Sequence, residues 1–252
     1  MKRNIILFSF IISLAVAASA QKTDTTKLET AAQKLPSVKE VLEKYVKSVG
    51  GRDSIQKIKS RFVTGTVEIA PMNLSGPFES YSAPEGKSYS KIELSGVGNL
   101  LEGTDGKTAW VANPFQGNRE KTGDELLQSK LTNDFYRDLR LEKLFPKMAL
   151  KGIEKVNEKD AYVVTATAEG VPSETWYFDT KSGLMVRSDI TAIAPEGNQP
   201  ITFFYEDHRA VDGLMIPFRI RSQTPSFVIT MQVSEVKHGL PVDDSKFARP
   251  KQ

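Results

Sequence analysis

Apolar residues recur at helical spacing in the first periodic stretch of the chain, residues 37–58. From Val38 to Val49 they fall on one face of a helix. Ser37 and Glu40 have the S-x-x-E spacing of a capping box, and Gly50-Gly51 follows as a stop signal. Asp53 is placed to cap a short second helix. The pattern therefore predicts two consecutive helices.

From Arg61 onward, apolar and polar residues alternate, which is the period of a β-strand. The alternation runs to Ala112, resumes over residues 149–236 and predicts about eleven strands. Thr104-Asp105-Gly106-Lys107, Lys181-Ser182-Gly183 and Val211-Asp212-Gly213 are typical of tight turns between paired strands. The strands are therefore expected to form antiparallel meanders.

A helical pattern separates the two groups of strands. Thr122 and Glu125 repeat the capping-box spacing, and Pro146 ends the segment. The apolar residues change face near Asn133-Asp134, so the segment is either two helices or one bent helix. The whole pattern predicts an α+β fold in which one curved antiparallel sheet carries helices on one side.

The first twenty residues have the layout of a secretory signal peptide. Lys2 and Arg3 precede an apolar run, and Ala18-Ser19-Ala20 supplies a small-residue cleavage site. The run is too short to span a bilayer comfortably, which disfavours a membrane anchor. We expect cleavage after Ala20 and a periplasmic mature chain.

The remaining boundaries follow from composition. Residues 21–36 are polar and predict a flexible leader, or else a frayed extension of the first helix. Residues 37–248 are expected to form a single domain, followed by a tail over residues 249–252.

Charge and cysteine content exclude several classes of function. The chain has no cysteine, so it has no disulfide, lipid-modified cysteine or thiolate nucleophile. Taking Lys2 and Arg3 from the 34 basic residues leaves 32 against 31 acidic residues, a net charge of +1. This balance gives no electrostatic case for binding nucleic acid.

Residues that support catalysis are few. The two histidines, His208 and His238, lack the H-E-x-x-H spacing of a zinc enzyme and are interpreted as surface residues. No G-x-S-x-G nucleophile elbow is present. We therefore predict no catalytic residue, no metal site and no cofactor.

Apolar and aromatic residues on the strands indicate a hydrophobic cavity. Their alternation places several on one face of neighbouring strands, although a filled core would use the same residues. The predicted cavity residues are Trp110, Trp176, Phe178, Phe203, Tyr205, Phe218, Ile220, Ile229 and Met231. Leu126, Leu127 and Leu131 of the helical insert form an apolar stripe that is predicted to cover them as a lid.

Several hairpin motifs resemble those of periplasmic proteins with the LolA/LolB-type fold. Residues 177–184, YFDTKSGL, resemble the family hairpin W/Y-F-D-x-x-T/S-G-L. Residues 204–217, FYEDHRAVDGLMIP, resemble its F-x-D-Y-R-x-V-D-G-x-x-I-P hairpin, and residues 240–247, LPVDDSKF, resemble its closing turn. Residues 45–51 followed by 58–60 are similar to exported relatives described as outer-membrane lipoprotein-sorting proteins.

The resemblance implies an incomplete β-barrel closed by helices over a hydrophobic cavity for acyl chains. Arg61 is the candidate for the family's cavity-gating arginine. The missing lipobox cysteine favours a soluble carrier of lipids or lipoproteins. We further expect a monomer, with envelope membrane proteins as additional partners. A lipid-sensing module that regulates a partner is the alternative, and an envelope hydrolase is disfavoured by the missing catalytic motifs.

Overall fold

The computed structural model describes residues 35–250. The predicted signal peptide and almost all of the predicted leader lie outside these residues, so the cleavage site after Ala20 stays a prediction. Within the described range, no helix has the length and apolar character needed to cross a membrane.

All the strands of the described chain belong to one antiparallel sheet of thirteen strands. The first six are β1 (Arg61–Ala70), β2 (Leu74–Ala83), β3 (Lys87–Leu94), β4 (Gly98–Asp105), β5 (Ala109–Asn113) and β6 (Gly117–Lys121). The other seven are β7 (Lys147–Val156), β8 (Lys159–Thr167), β9 (Glu174–Asp179), β10 (Met185–Ala192), β11 (Gln199–Val211), β12 (Leu214–Gln223) and β13 (Val228–His238). The sheet has two more strands than the approximate sequence count.

Sheet order shows how the two groups of strands join. It runs β6-β5-β4-β3-β2-β1-β13-β12-β11-β10-β9-β8-β7, so every neighbour is consecutive in the chain except β1 and β13. The β1–β13 pairing is a seam between two local meanders, and it pairs Arg61 with His238 and Ala70 with Val228. β6 and β7 are the edges of the sheet.

Antiparallel order places the connections at two ends of the sheet. We call one the mouth end, where β1, β3 and β5 finish and β2, β4, β6 and β13 begin. The opposite end carries the β2–β3, β4–β5, β7–β8, β9–β10 and β11–β12 turns. The predicted turns at residues 104–107, 181–183 and 211–213 all lie at the opposite end.

The N-terminal helices are α1 (Val38–Val49) and α2 (Arg52–Lys57). The predicted capping box of α1 is present, because the Ser37 hydroxyl accepts from the Glu40 backbone and Glu40 accepts from the Ser37 backbone. Asp53 does not cap α2 as predicted, since the N-cap is Gly51 and Asp53 lies within the first turn. α1 buries its apolar stripe against the sheet, with Tyr45 and Phe178 rings 5.2 Å apart.

The helical insert consists of two helices, α3 (Gly123–Thr132) and α4 (Arg137–Leu144). They connect β6 at one edge of the sheet to β7 at the other. Thr122 is the N-cap of α3 but makes no side-chain cap hydrogen bond, and Glu125 instead pairs with Arg119. The predicted second capping box is therefore wrong.

The main core lies between α1, α4 and the C-terminal half of the sheet. Phe145 at the end of α4 and Trp176 of β9 are fully buried, with ring centroids 5.0 Å apart at an interplanar angle of 85°. Phe178 and Val164 from neighbouring strands are equally buried. Packing of this density anchors the helices on one face of the sheet, which we call the inner face.

A ladder of aromatic residues lies on the other, outer face of the N-terminal half. The strand register places Phe62, Tyr81 and Tyr89 side by side on β1, β2 and β3. Gly103 of β4 pairs with both Tyr89 and Trp110, so Trp110 of β5 continues the same row. The C-terminal segment crosses this ladder: the Trp110 indole donates to the Phe247 carbonyl at 2.9 Å, and the Lys246 ammonium lies 4.0 Å from the Tyr81 ring. Trp110 therefore faces away from the inner face, contrary to its predicted place in a cavity.

Candidate functional site

A large cavity on the inner face lies at the mouth end of the N-terminal half. Its volume is about 480 Å³, and twelve of its sixteen lining residues are Val, Ile, Leu, Met or Phe. We call it the apolar pocket. It is lined by Val67, Ile69, Met72, Leu74, Ser90, Ile92, Leu94, Leu100, Leu101, Glu102, Val111, Asn113, Phe115, Gln116, Phe227 and Ile229. Its size and composition are those of a small-molecule site.

Strand alternation and register build the wall of the apolar pocket. Ile69 pairs directly with Ile229 across the β1–β13 seam, and Ile92 pairs with Leu100 between β3 and β4. Directly opposed side chains in antiparallel strands stand close enough to pack together. These pairs therefore form a continuous apolar surface across several strands.

Four of the residues that line the apolar pocket are polar, and two of them belong to the β5–β6 turn region. Glu102 forms an ion pair with Lys121 of β6. The Asn113 side chain accepts hydrogen bonds from the backbone of Phe115 and Gln116 at 2.9 and 2.8 Å, which orders the β5–β6 turn. Gln116 donates to Glu196 of the β10–β11 hairpin at 3.3 Å. The pocket is thus mainly apolar, with Asn113 and Gln116 at the mouth-end turn and the directly paired Ser90 and Glu102 further along β3 and β4.

A second cavity of about 280 Å³ lies beneath α1 and the start of α4, and nine of its fifteen lining residues are apolar. We call it the polar cavity after its charged and hydroxyl-bearing side chains, which the apolar pocket has in smaller number. The Tyr45 hydroxyl donates to Asp138 at 2.7 Å. Burial, reinforced by the Asp138 carboxylate, raises the pKa of Tyr45 well above its ordinary value. Burial lowers the pKa of the Arg61 guanidinium, which also lines this cavity.

A chain of side chains holds Arg61 in place. The Arg61 Nε donates to His238 Nε2 at 3.3 Å, and His238 Nδ1 lies 2.8 Å from Asp212. Because Nε2 accepts, the ring proton sits on Nδ1 and is donated to the carboxylate. The His238 side chain is only 4% exposed, so its interpretation as a surface residue is wrong.

His208 is half-buried and lines the polar cavity. Burial lowers its pKa from the ordinary value of 6.5, and the neighbouring Asp207 opposes this shift in part. Across residues 35–250, no group of three metal-ligating side chains comes together. His208 thus borders the polar cavity, whereas the His238 ring is enclosed between Arg61 and Asp212.

Most of the predicted aromatic cavity residues lie outside the apolar pocket. Trp176 and Phe178 are fully buried in the core, and the Trp176 indole donates to Glu174 at 2.7 Å. The Arg137 guanidinium pairs with the same carboxylate and lies 5.4 Å from the Trp176 ring. In this part of the sheet, the filled-core alternative describes the packing.

The other predicted cavity residues are distributed over several environments. Tyr205 and Ile220 line the polar cavity, and Phe203 stacks against Tyr205 with centroids 6.4 Å apart. Phe218 is buried with the Arg209 guanidinium 4.6 Å from its ring, and Met231 packs against the main core. Of the nine predicted residues, Ile229 alone lines the apolar pocket.

The predicted lid residues do not line the apolar pocket either. Leu131 packs against the main core, Leu126 is partly buried, and Leu127 is 37% exposed beside Gly170. Gln128 ties α3 to β10, because its side chain donates to the Thr191 carbonyl and accepts from the Ile193 backbone. The mouth of the apolar pocket is framed by turns.

Two pocket residues at these turns were missed from the sequence. Met72 and Phe115 each follow a proline in the β1–β2 and β5–β6 turns, and they are 56% and 66% exposed. Turns are normally polar, so a large apolar residue directly after a turn proline is unusual. This feature of the sequence could have identified Met72 and Phe115 as pocket residues.

No family model and no curated protein matches this chain. Solved structures do match. A DUF1329 family protein from Desulfovibrio piger has 18% identity and a TM-score of 0.58, covering 85% of this chain and 98% of its own. A LolA superfamily protein from Nitrosomonas europaea has 15% identity and a TM-score of 0.56, with the same coverages of 85% and 98%.

A third structure extends the comparison. A putative outer membrane lipoprotein-sorting protein domain from Vibrio parahaemolyticus has 10% identity and a TM-score of 0.53, covering 82% of this chain and 97% of its own. At such low identities, the likeness concerns the fold alone. The chain therefore has the unclosed, helix-bearing half-barrel of LolA-like proteins, which confirms the predicted fold class and the resemblance.

Proposed function

We propose that this chain is an exported envelope carrier that binds acyl chains of a lipid or lipoprotein in the apolar pocket. The observation that carries the proposal is the pocket itself: about 480 Å³, lined by twelve apolar side chains, with Asn113 and Gln116 at the turn beside its opening. Such a site accepts a hydrocarbon chain and leaves a polar headgroup at the rim. The LolA-like fold supports the same class of function.

Hydrophobic burial supplies the affinity in this proposal. Each buried methylene contributes about 0.8 kcal/mol, so ten methylenes contribute roughly 8 kcal/mol before the cost of association. Export after cleavage behind Ala20 and a single functional domain over residues 37–248 belong to the same proposal.

A pocket-filling variant tests the proposal. Ser90 lines the pocket on β3, so Ser90→Trp places an indole inside it. We expect this variant to lose binding of a fluorescent fatty acid that the parent chain binds. Thr66→Trp is the matched control, because Thr66 is exposed on the outer face of β1 beside pocket residue Val67.

Two results would contradict the proposal: absence of fatty-acid binding by the parent chain, or equal affinity in the parent and Ser90→Trp. Mass spectrometry of material extracted from the purified chain identifies the natural ligand. Transfer of that ligand to acceptor vesicles distinguishes a carrier from a sensing module, which retains it.

A further inference from the structure

The loops at the mouth end contain no lysine or arginine. They comprise residues 71–73, 95–97, 114–116, 168–173, 193–198 and 224–227, and their only charged residues are Glu169 and Glu196. Every turn at the opposite end carries a charge, at Glu85, Lys107, Glu158, Lys181 and Asp212. In a chain with 26% charged residues, this difference marks the mouth end as a distinct surface.

The most exposed large apolar side chains of residues 35–250 lie at this end. They are Phe115 and Met72, 66% and 56% exposed at the tips of two turns. Hydrogen bonds from the Phe115 and Gln116 backbone to Asn113 hold the Phe115 turn in place. Both apolar side chains also line the apolar pocket. The exposed apolar surface and the pocket are therefore continuous.

We infer that the mouth end docks on a phospholipid bilayer, with Met72 and Phe115 inserted into the interface. Apolar and aromatic side chains that project from a polar surface bind membranes in this way. A lipid bilayer fits this surface because its hydrocarbon region is uncharged and requires no complementary charged or hydrogen-bonding groups on the protein. Docking in this orientation opens the pocket directly onto lipid, so a ligand enters or leaves without crossing water.

The mouth-end loops hold no basic residue, and nearby basic side chains, such as Lys147 at the start of β7 and Arg249 against Asn118, lie outside them. The loops therefore define the kind of membrane surface. Proteins that bind anionic lipids use clusters of lysine and arginine, and salt weakens their binding. Here Glu169 and Glu196 repel an anionic headgroup. Binding to neutral phosphatidylcholine vesicles is therefore expected to persist at high salt, and adding anionic lipid is not expected to strengthen it.

Vesicle flotation tests the inference. It uses the intact chain as recovered after export, with its N-terminus verified by mass spectrometry, and neutral phosphatidylcholine vesicles. We expect Met72→Ser and Phe115→Ser each to weaken partitioning by about tenfold, and the double variant by about a hundredfold. Ile153→Ser is the matched control, because Ile153 is 44% exposed on edge strand β7, away from the mouth end, and its loss is expected to change nothing.

The inference rests on the pocket of the proposed function, but membrane docking and acyl-chain binding can be disproved independently of each other. Ser90→Trp fills the pocket without touching the turn tips, so it is expected to lose the fatty-acid probe and still float with vesicles. Thermal denaturation verifies that the serine variants are folded.

Three outcomes would overturn the docking surface. The parent chain fails to float with neutral vesicles, the folded double variant floats as the parent does, or binding requires anionic lipid and disappears in salt. Sedimentation tests whether a second copy of the chain occupies this surface instead. A dimer that dissociates on the same substitutions, in a chain that does not bind vesicles, would assign the surface to that second copy.

Discussion

The two halves of the inner face have the same alternating strand pattern but different interiors. Next to the polar cavity under α1 and α4, Trp176, Phe178 and Phe145 form a fully buried core. At the mouth end of the N-terminal half, equally apolar strands enclose a pocket of about 480 Å³. The difference lies in what covers the strands, since helices pack on one half and turns frame the other.

Coverage by helices decides whether an apolar face of this sheet becomes core or cavity. The side chains of both halves obey the same period, and both would be buried in an ordinary sheet protein. The two helix pairs are short, and α3 is tied to β10 through Gln128. Coverage of the N-terminal half is therefore incomplete, and its apolar wall is available to a ligand.

The largest expected difference between the halves is in stability. Phe178 is fully buried, so Phe178→Ala should lower the free energy of unfolding by about 3–5 kcal/mol through lost burial and a new cavity. Leu100→Ala removes a side chain that already borders a pocket, and we expect less than half that loss. Chemical denaturation of both variants measures the difference. Equal losses would show that the N-terminal half is as tightly packed as the core.

A smaller effect distinguishes the polar cavity by its dependence on pH. The pKa of His208 is lowered in the folded chain, so the unfolded chain binds more protons as pH falls through 6.5. The stabilising contribution of neutral His208 is therefore complete above pH 6.5 and declines below it, by at most about 1.4 kcal/mol per pH unit.

His208→Gln removes this proton-binding group, and its stability should vary less than that of the parent chain between pH 7.5 and 5. Denaturation at a series of pH values tests the prediction. Parallel curves for the two chains would mean that His208 titrates alike in the folded and unfolded states.

A still smaller effect is expected at the predicted lid. Leu127 is 37% exposed, so Leu127→Ala should cost less than about 1 kcal/mol, below the 2–5 kcal/mol typical of a buried leucine. Fatty-acid affinity should remain unchanged, because Leu127 does not line the apolar pocket. A clear change in fatty-acid affinity with unchanged stability would instead support the prediction that α3 acts as a lid.

The smallest effect concerns the candidate gating residue. Arg61 lines the polar cavity at the start of β1, whereas Val67 and Ile69 of the same strand line the apolar pocket. Arg61→Gln should therefore leave fatty-acid affinity unchanged within error. Fluorescence titration provides the measurement, and a severalfold change in affinity would connect the polar cavity to the ligand site.

Local pattern was sufficient to predict much of the fold. Period-two alternation and turn residues predicted the meanders, and the change of face near Asn133 predicted the break between α3 and α4. β6 was missed because Gly117–Lys121 contains no apolar residue and takes its place only through pairing with β5. The β1–β13 seam joins distant segments, which no local pattern reveals.

The site was harder to predict than the fold. Trp110 and Val111 are neighbours on β5 and therefore point to opposite faces of the sheet. The prediction chose Trp110 because it is aromatic, but Trp110 lies on the outer face and Val111 lines the apolar pocket. Trp176 and Phe178 have the alternation of lining residues, yet helices that approach from elsewhere in the chain bury them. Tertiary coverage, which single-strand patterns do not encode, separates the two outcomes.

The single seam between β1 and β13 has a consequence for folding kinetics. Every other strand pair joins neighbours in the chain, so the loop closures that form these pairs are short and entropically inexpensive. Closing the seam brings Arg61 to His238, and it carries the largest loop-closure cost of any strand pair. The two meanders are therefore expected to form early and independently. Their joining along β1 and β13 would then limit the rate at which the complete half-barrel appears.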